Sequence, residues 1–346
     1  MKLPFLYLAL PFNQPRFCPN ATWDVNAITF ANRSIVSTMP CGVFVNSEDS
    51  IYVANRETGE ILIWENNTSI RPSKEISGSL SYKLSLFVTT NGDIYVDDGD
   101  NGRVAKWIAE NNSWIPVMSF QSHCYSLFID ILHNLYCSIY NNHKVDRKWS
   151  NGTITTVAGT GSRGASSNML NYPYGIFVDI NQDLYVADYE NHRIQLFRLN
   201  QRNGVTVAGN GSSDVTIDLI RPTGIVLDGD RYLFIVDKNN HRLIGSNEYG
   251  FHCIFGCSAS SGSTNDKLDN PESMSFDSYG NIYVTDRDNH RIQKVILSKE
   301  SCGKLNSLNL FFENKIHRSL KFSFENIRFF ETKSSNRIQI VLVIRF

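Results

Sequence analysis

Four histidines recur at an interval of 49 residues: His143, His192, His241 and His290. Four acids, Asp130, Asp179, Asp228 and Asp277, keep the same interval. Imidazoles could bind zinc or move protons, and carboxylates could hold calcium. A third set pairs opposite charges five residues apart: Asp98 with Arg103, Asp188 with Arg193, Asp237 with Arg242, and Asp286 with Arg291. An asparagine column, Asn101, Asn142, Asn191, Asn240 and Asn289, runs beside them. Groups repeated at so regular an interval belong to copies of one structural unit, so their chemistry depends on whether the copies bring them together.

Six copies of the unit can be aligned: 41–64, 82–107, 123–149, 172–197, 221–246 and 270–295. Their aromatic markers are Tyr52, Tyr95, Tyr136, Tyr185, Phe234 and Tyr283. Each copy holds three short runs of β-branched and aromatic residues separated by Asn, Asp and Gly, the signature of antiparallel strands with tight turns. A fourth run follows most copies, at 153–158, 205–208, 251–255 and, less clearly, 114–117. Pro40, Pro173, Pro222 and Pro271 end the links between copies. Four-stranded units at a period of about 40–50 residues predict propeller blades. The sixth copy lacks a fourth strand of its own, while the strand-like segment 22–30 precedes the first copy. The expected fold is therefore an all-β, six-bladed propeller of four-stranded antiparallel blades, closed by an N-terminal strand that joins the last blade.

The spacing from Tyr185 through Asp188, Asn191, His192 and Arg193 to Ile194 returns from Phe234 to Leu243 and from Tyr283 to Ile292. This pattern, with the link from Val157 to Gly161 running on to Pro173 and Gly175, resembles the NHL repeat over about residues 22–300. Blades one and three depart from it, with Asn55 and Glu60, and Ile139 and Lys144, in place of the charged pair. The resemblance implies a propeller acting as an interaction scaffold. Amidating lyases and some lactone hydrolases resemble the same architecture and carry metal ligands around the channel, which makes a metal-dependent lyase or hydrolase the alternative. Intracellular relatives suggest a further one, substrate recognition linked to ubiquitin ligation; no C-x-x-C pair supplies ligands for a RING.

In a propeller, equivalent turns lie far apart around the ring, so the histidines cannot share a zinc at about 2.0–2.1 Å. The strand-end acids are expected to start hairpin turns, and the asparagines to take left-handed backbone there. The charged pairs are expected at the surface, worth about 0–1 kcal/mol each. The channel is expected to be lined by Val43, Phe44, Leu86, Phe87, Leu127, Phe128, Ile176, Phe177, Ile225, Val226, Met274 and Ser275, apolar or small residues without a histidine ring. No residue is assigned a catalytic, metal-binding or cofactor-binding role.

The 33 Lys and Arg nearly balance 34 Asp and Glu. Residues 303–346 hold 8 basic and 3 acidic residues, which leaves 25 against 31 elsewhere. Such an acidic body disfavours nucleic acid as a partner. No apolar run reaches the roughly 20 residues of a membrane-spanning helix. Lys2 followed by the run 3–10 has the order of a secretory signal peptide, so residues 1–17 are expected as a leader, 18–302 as the propeller and 303–346 as a poorly ordered extension. Acceptor sites for N-glycosylation begin at Asn20, Asn32, Asn66, Asn67, Asn111, Asn151 and Asn210. Cys18 and Cys302 flank the repeats and are expected to bridge the ends, the alternative being two thiols. Cys124 with Cys137, and Cys253 with Cys257, are candidates for local bridges if geometry permits, leaving Cys41 as the free thiol. The expectation is an extracellular binding propeller for an unidentified protein, peptide or glycan, with a cytoplasmic protein as the alternative.

Overall fold

A computed structural model describes residues 10–65, 71–78, 85–120, 122–213, 216–299 and the backbone of 327–334 and 337–344. The chain divides into two units, Met1–Cys302 and Gly303–Phe346.

The first unit is a propeller of six four-stranded antiparallel sheets. Blade one comprises Pro40–Val45, Ile51–Asn55, Ile61–Trp64 and Lys74–Ile76. Blade two comprises Leu86–Val88, Ile94–Asp98, Arg103–Ile108 and Ser113–Ser119. Blade three is built from Cys124–Ile129, Leu135–Ile139, Lys144–Lys148 and Ile154–Ala158. Blade four follows with Pro173–Val178, Leu184–Asp188, Arg193–Phe197 and Val205–Gly209. Blade five has Pro222–Leu227, Leu233–Asp237, Arg242–Asn247 and Gly250–Phe255. Blade six has Met274–Phe276, Ile282–Asp286 and Arg291–Val295, and its outer strand is Ile28–Ala31 from the N-terminal side. Ile28 stands opposite Lys294 and Ala31 opposite Ile292, with an isolated bridge from Trp23 to Leu297. Closure by an N-terminal strand therefore holds, at the late end of the expected segment. The fourth strand of blade one, only three residues long and mostly polar, had no signal in the sequence.

Strand interiors are buried on both faces because each blade is sandwiched between two others. Trp64, Tyr136 and Tyr283 are fully buried in this way. Close approach is tightest at Gly175, where a Cβ would lie 1.9 Å from the Thr223 carbonyl oxygen of the next blade.

The Asp–Arg pairs are not surface features, which corrects the sequence expectation. Asp98, Asp188, Asp237 and Asp286 have no solvent exposure. The Asp188 carboxylate accepts from the Asn171 amide (2.6 Å), from the Asn191 side chain (2.8 Å) and from Arg193 Nε (2.7 Å). Arg193 then donates to the carbonyls of Ser166 and Met169 in the incoming link. The same node recurs at Asp237 with Ile220, Asn240 and Arg242, and at Asp286 with Asp269, Asn289 and Arg291. At Asp188, Asp237 and Asp286 the pair thus ties a link to its blade, largely out of water, where removing one partner costs about 3–5 kcal/mol; in blade two Arg103 keeps 36% of its side chain exposed. Burial raises the pKa of Asp188 and Asp286, with their donors opposing that rise. In blade one the amide of Asn55 takes over part of this role, donating to Val36 O and accepting from Glu57 and Thr58.

The asparagine column also needs correction. Asn101, Asn142, Asn191 and Asn240 close a 3-10 turn, and the left-handed residue is the next one: Gly102, His143, His192 and His241. His290 follows Asn289 with the same positive φ. Each histidine uses Nδ1 to accept a backbone N–H from the start of the next blade: Tyr172 to His143, Arg221 to His192, Asn270 to His241 and Met39 to His290. The histidines are thus inter-blade acceptors, spread around the ring.

Cys124 is bonded to Cys137 and Cys253 to Cys257, with Cα separations of 5.5 and 5.7 Å. Cys41 is free and buried. The Cys18–Cys302 pairing lies outside the described residues, as do Asn66, Asn67 and residues 1–9 of the expected leader. Asn20, Asn32, Asn111, Asn151 and Asn210 are all exposed. In the second unit, Ile327–Ser334 pairs with Arg337–Ile344 as an antiparallel hairpin.

Candidate functional site: an aromatic and cationic mouth of the channel

The innermost strands carry the residues expected along the channel, and the channel's central cavity is lined by them. In blades one, three, four and five the register of the first strand slips by a bulge after its opening residue. Bulges re-aim side chains. Here they accompany a ring of channel-lining residues that differ in type: Cys41, Tyr125, Tyr174, Thr223 and Glu272. A second ring is formed by the residues just after the second strands: Arg56, Gly99, Tyr140, Tyr189, Lys238 and Arg287. Together they define one end of the channel.

Tyrosines dominate the side belonging to blades three and four. Tyr125 stacks on Tyr140 at 4.1 Å between ring centroids, and Tyr174 stacks on Tyr189 at 5.6 Å. Tyr172 packs on Tyr140 at 4.6 Å. Cations dominate the side of blades five, six and one. Lys238 lies 5.8 Å from the Tyr174 ring and 5.9 Å from that of Tyr189, within cation–π range. Arg221, at the base of blade five, is 5.6 Å from the Tyr189 ring and pairs with Glu190.

At the junction of the two sides sits a buried charge node. Glu272 accepts from Lys238 Nζ at 2.8 Å and from Arg287 Nη1 at 3.1 Å, and the Tyr174 hydroxyl donates to its other oxygen. Burial raises the Glu272 carboxyl, but Lys238 and Arg287 more than offset it, so its pKa lies below the usual value. Burial and the adjacent Glu272 push the Tyr174 hydroxyl upward. Cys41 is driven to about 12, by burial first and Glu272 second, which keeps it a thiol rather than a nucleophilic thiolate. Arg56 is close enough for its charge to act on both Cys41 and Tyr125.

The strand-end acids sit away from this mouth and satisfy themselves locally. Asp130 accepts from the amides of Leu132 and Asn134, Asp179 from Asn181 and Asp183, Asp228 from Asp230 and Tyr232, and Asp277 from Tyr279 and Asn281. Among the described residues no three His, Cys, Asp or Glu side chains converge as a metal-binding group. The mouth itself was missed from the sequence because its residues change identity from blade to blade. Reading the column after each second strand would have found it: its members differ chemically while the flanking positions repeat.

The fold and the mouth define a six-bladed β-propeller with a chemically asymmetric channel entrance. The NHL repeat model matches residues 170–197 and 268–295, in blades four and six, which together with the six-bladed fold supports an NHL-repeat propeller. No curated protein matches the chain. Similar solved structures include a streptogramin B lyase, 14% identical with a TM-score of 0.57, covering 79% of this chain and 97% of that one. A gluconolactonase from Xanthomonas campestris is 11% identical with a TM-score of 0.60, covering 84% and 98%. An auxiliary nutrient binding protein from Bacteroides ovatus is 16% identical with a TM-score of 0.54, covering 84% and 76%. At such identities the likeness establishes the fold alone.

Proposed function

We propose that this protein is a non-catalytic extracellular binding propeller. Its ligand, a protein, peptide or glycan, docks at the tyrosine-rich mouth through an anionic group and a flat apolar face. The observation that carries this reading is the division of the mouth into stacked tyrosines on one side and Arg56, Lys238, Arg287 and Arg221 on the other. Tyrosines offer large, rigid surfaces for peptide planes or sugar rings at low entropic cost, and arginines take carboxylates or sulfates in two-pronged fashion. Glu272, the one carboxylate among the described residues of the inner ring, is occupied by three donors, which suits a positioning role better than that of a base.

An extracellular location is supported by the two disulfides, which need an oxidising compartment, and by five exposed acceptor asparagines. Among the described residues no helix is long and apolar enough to cross a membrane. The test is a screen of acidic glycans and acidic peptides against the full chain and a Tyr140→Ala/Tyr189→Ala variant. Binding that the variant reduces at least tenfold supports the proposal; binding that the variant leaves unchanged, or turnover of any screened compound, refutes it.

A further inference from the structure

The opposite end of the channel is filled by the chain itself. The Phe12 ring sits against three neighbouring inner strands, with centroids 6.2 Å from Phe87, 5.6 Å from Phe128 and 5.6 Å from Phe177. These rings belong to a continuous arc, with Phe44 to Phe87 at 5.2 Å, Phe87 to Phe128 at 5.1 Å and Phe128 to Phe177 at 4.8 Å. Phe17 occupies a second aromatic seat, 5.0 Å from Trp23, 5.4 Å from Phe234 and 5.3 Å from Phe276.

Between the two rings the segment runs across the channel end on specific hydrogen bonds. Pro11 O accepts from the Ser47 amide at 3.0 Å, and Pro15 O from the Gly229 amide at 2.9 Å. Asn13 donates to Asn46 O and Phe276 O, and Gln14 to Leu227 O. Pro11 and Pro15 have no N–H to satisfy, so an extended chain there makes few demands on its receptor. The fit is incomplete. A cavity of about 320 Å³ remains beside Leu10 and Phe12, walled by Phe128, Ile129, Val178 and Ile180.

We infer that this end of the channel is a binding site for an extended peptide carrying aromatic side chains, held in this chain by residues 11–17. It is separate from the tyrosine mouth and does not depend on that reading. Two features distinguish a displaceable ligand from ordinary core. Phe12 and Phe17 are only partly buried, whereas the phenylalanines receiving them are buried. The main-chain anchors are few: one isolated antiparallel bridge, Phe12 to Asn46 with its Ser47 amide bond, and the Gly229 amide, rather than a continuous ladder.

The test uses the full chain with Phe12→Ala and Phe17→Ala, titrated with a fluorescent synthetic peptide of residues 10–17. Saturable binding is expected. It should weaken at least tenfold when the peptide's own Phe12 is alanine, and wild-type protein should bind at least tenfold more weakly because its tethered segment competes at millimolar effective concentration. A variant with native near-ultraviolet circular dichroism that binds no peptide, or both peptides equally, overturns the inference. Should the variant fail to fold, hydrogen exchange of the wild type decides. Ser47 and Gly229 amides exchanging at least tenfold faster than blade amides mark a segment that opens by itself, and exchange only with global unfolding sinks the idea.

Discussion

Replacing Glu272 with Gln probes the charge node on which the mouth is built. The side chains of Glu272 and Lys238 are 5% and 9% exposed, and that of Arg287 is 21% exposed. A neutral amide would leave Lys238 without its counter-charge and Arg287 with only the longer contact to Asp288, at 3.7 Å, and removing one member of a buried ionic group costs about 3–5 kcal/mol. Arg287 can turn partly toward water, which favours the lower figure, about 3 kcal/mol. For a domain of this size that corresponds to a fall in Tm of about 6–12 °C. Calorimetry on E272Q, Lys238→Met and the double variant forms a cycle: the double variant should recover at least about 1 kcal/mol of the E272Q loss, because one stranded cation is gone. The pH dependence has a definite sign. The folded pKa of Glu272 is depressed, so its stabilisation is present above the ordinary carboxylate range and is lost as pH falls through the lower folded value. An E272Q Tm within 2 °C of wild type at pH 7, or a double variant less stable than E272Q, would refute the reasoning.

Asp228 points the other way. Burial raises it to about 6, so ionising it costs stability that is absent below about pH 4 and fully felt above about pH 6, up to about 3 kcal/mol. Asp228→Asn should therefore stabilise the protein at pH 7, with the gain shrinking toward pH 4 in thermal melts; blade one already carries Asn46 at this position, accepting from the Glu48 and Ser50 amides. Gly175→Ala would drive a Cβ into the Thr223 carbonyl, and a loss of at least about 3 kcal/mol in denaturant unfolding is expected. Arg291→Ala should cost about 3–5 kcal/mol by the same measurement, against at most about 1 kcal/mol if the pair behaved as a surface bridge.

The blades were legible in the sequence because each strand is short and bounded by turn residues whose spacing repeats. The closing strand was legible because copy six lacked an outer strand and the chain had a spare one. What the sequence concealed was direction and depth. Arg193 beside Asp188 looks like any turn pair until the incoming link is seen to cover it. Phe12 and Phe17, read as the tail of a leader, gave no sign of their seats because both partners lie far away in sequence: Phe87, Phe128 and Phe177 for one, Phe234 and Phe276 for the other. The mouth was hidden for a related reason. A repeat is recognised by what recurs, whereas Tyr174, Lys238, Glu272 and Arg287 stand where the copies disagree.

The outer strand of blade six is the first strand of the ring to be synthesised, and its partner Arg291–Val295 is the last. About 260 residues separate Ala31 from Ile292, so at about 5–20 residues per second Ile28–Ala31 waits roughly 13–50 s for the edge it must cover. By the end of that interval five blades can form, but the propeller is an open arc whose two end blades expose the apolar sheet faces that the sixth would cover, and Ile28–Ala31 has no strand to pair with. Chaperone demand during synthesis should therefore peak late, and a stalled or truncated chain would be an arc with adhesive faces rather than a smaller propeller.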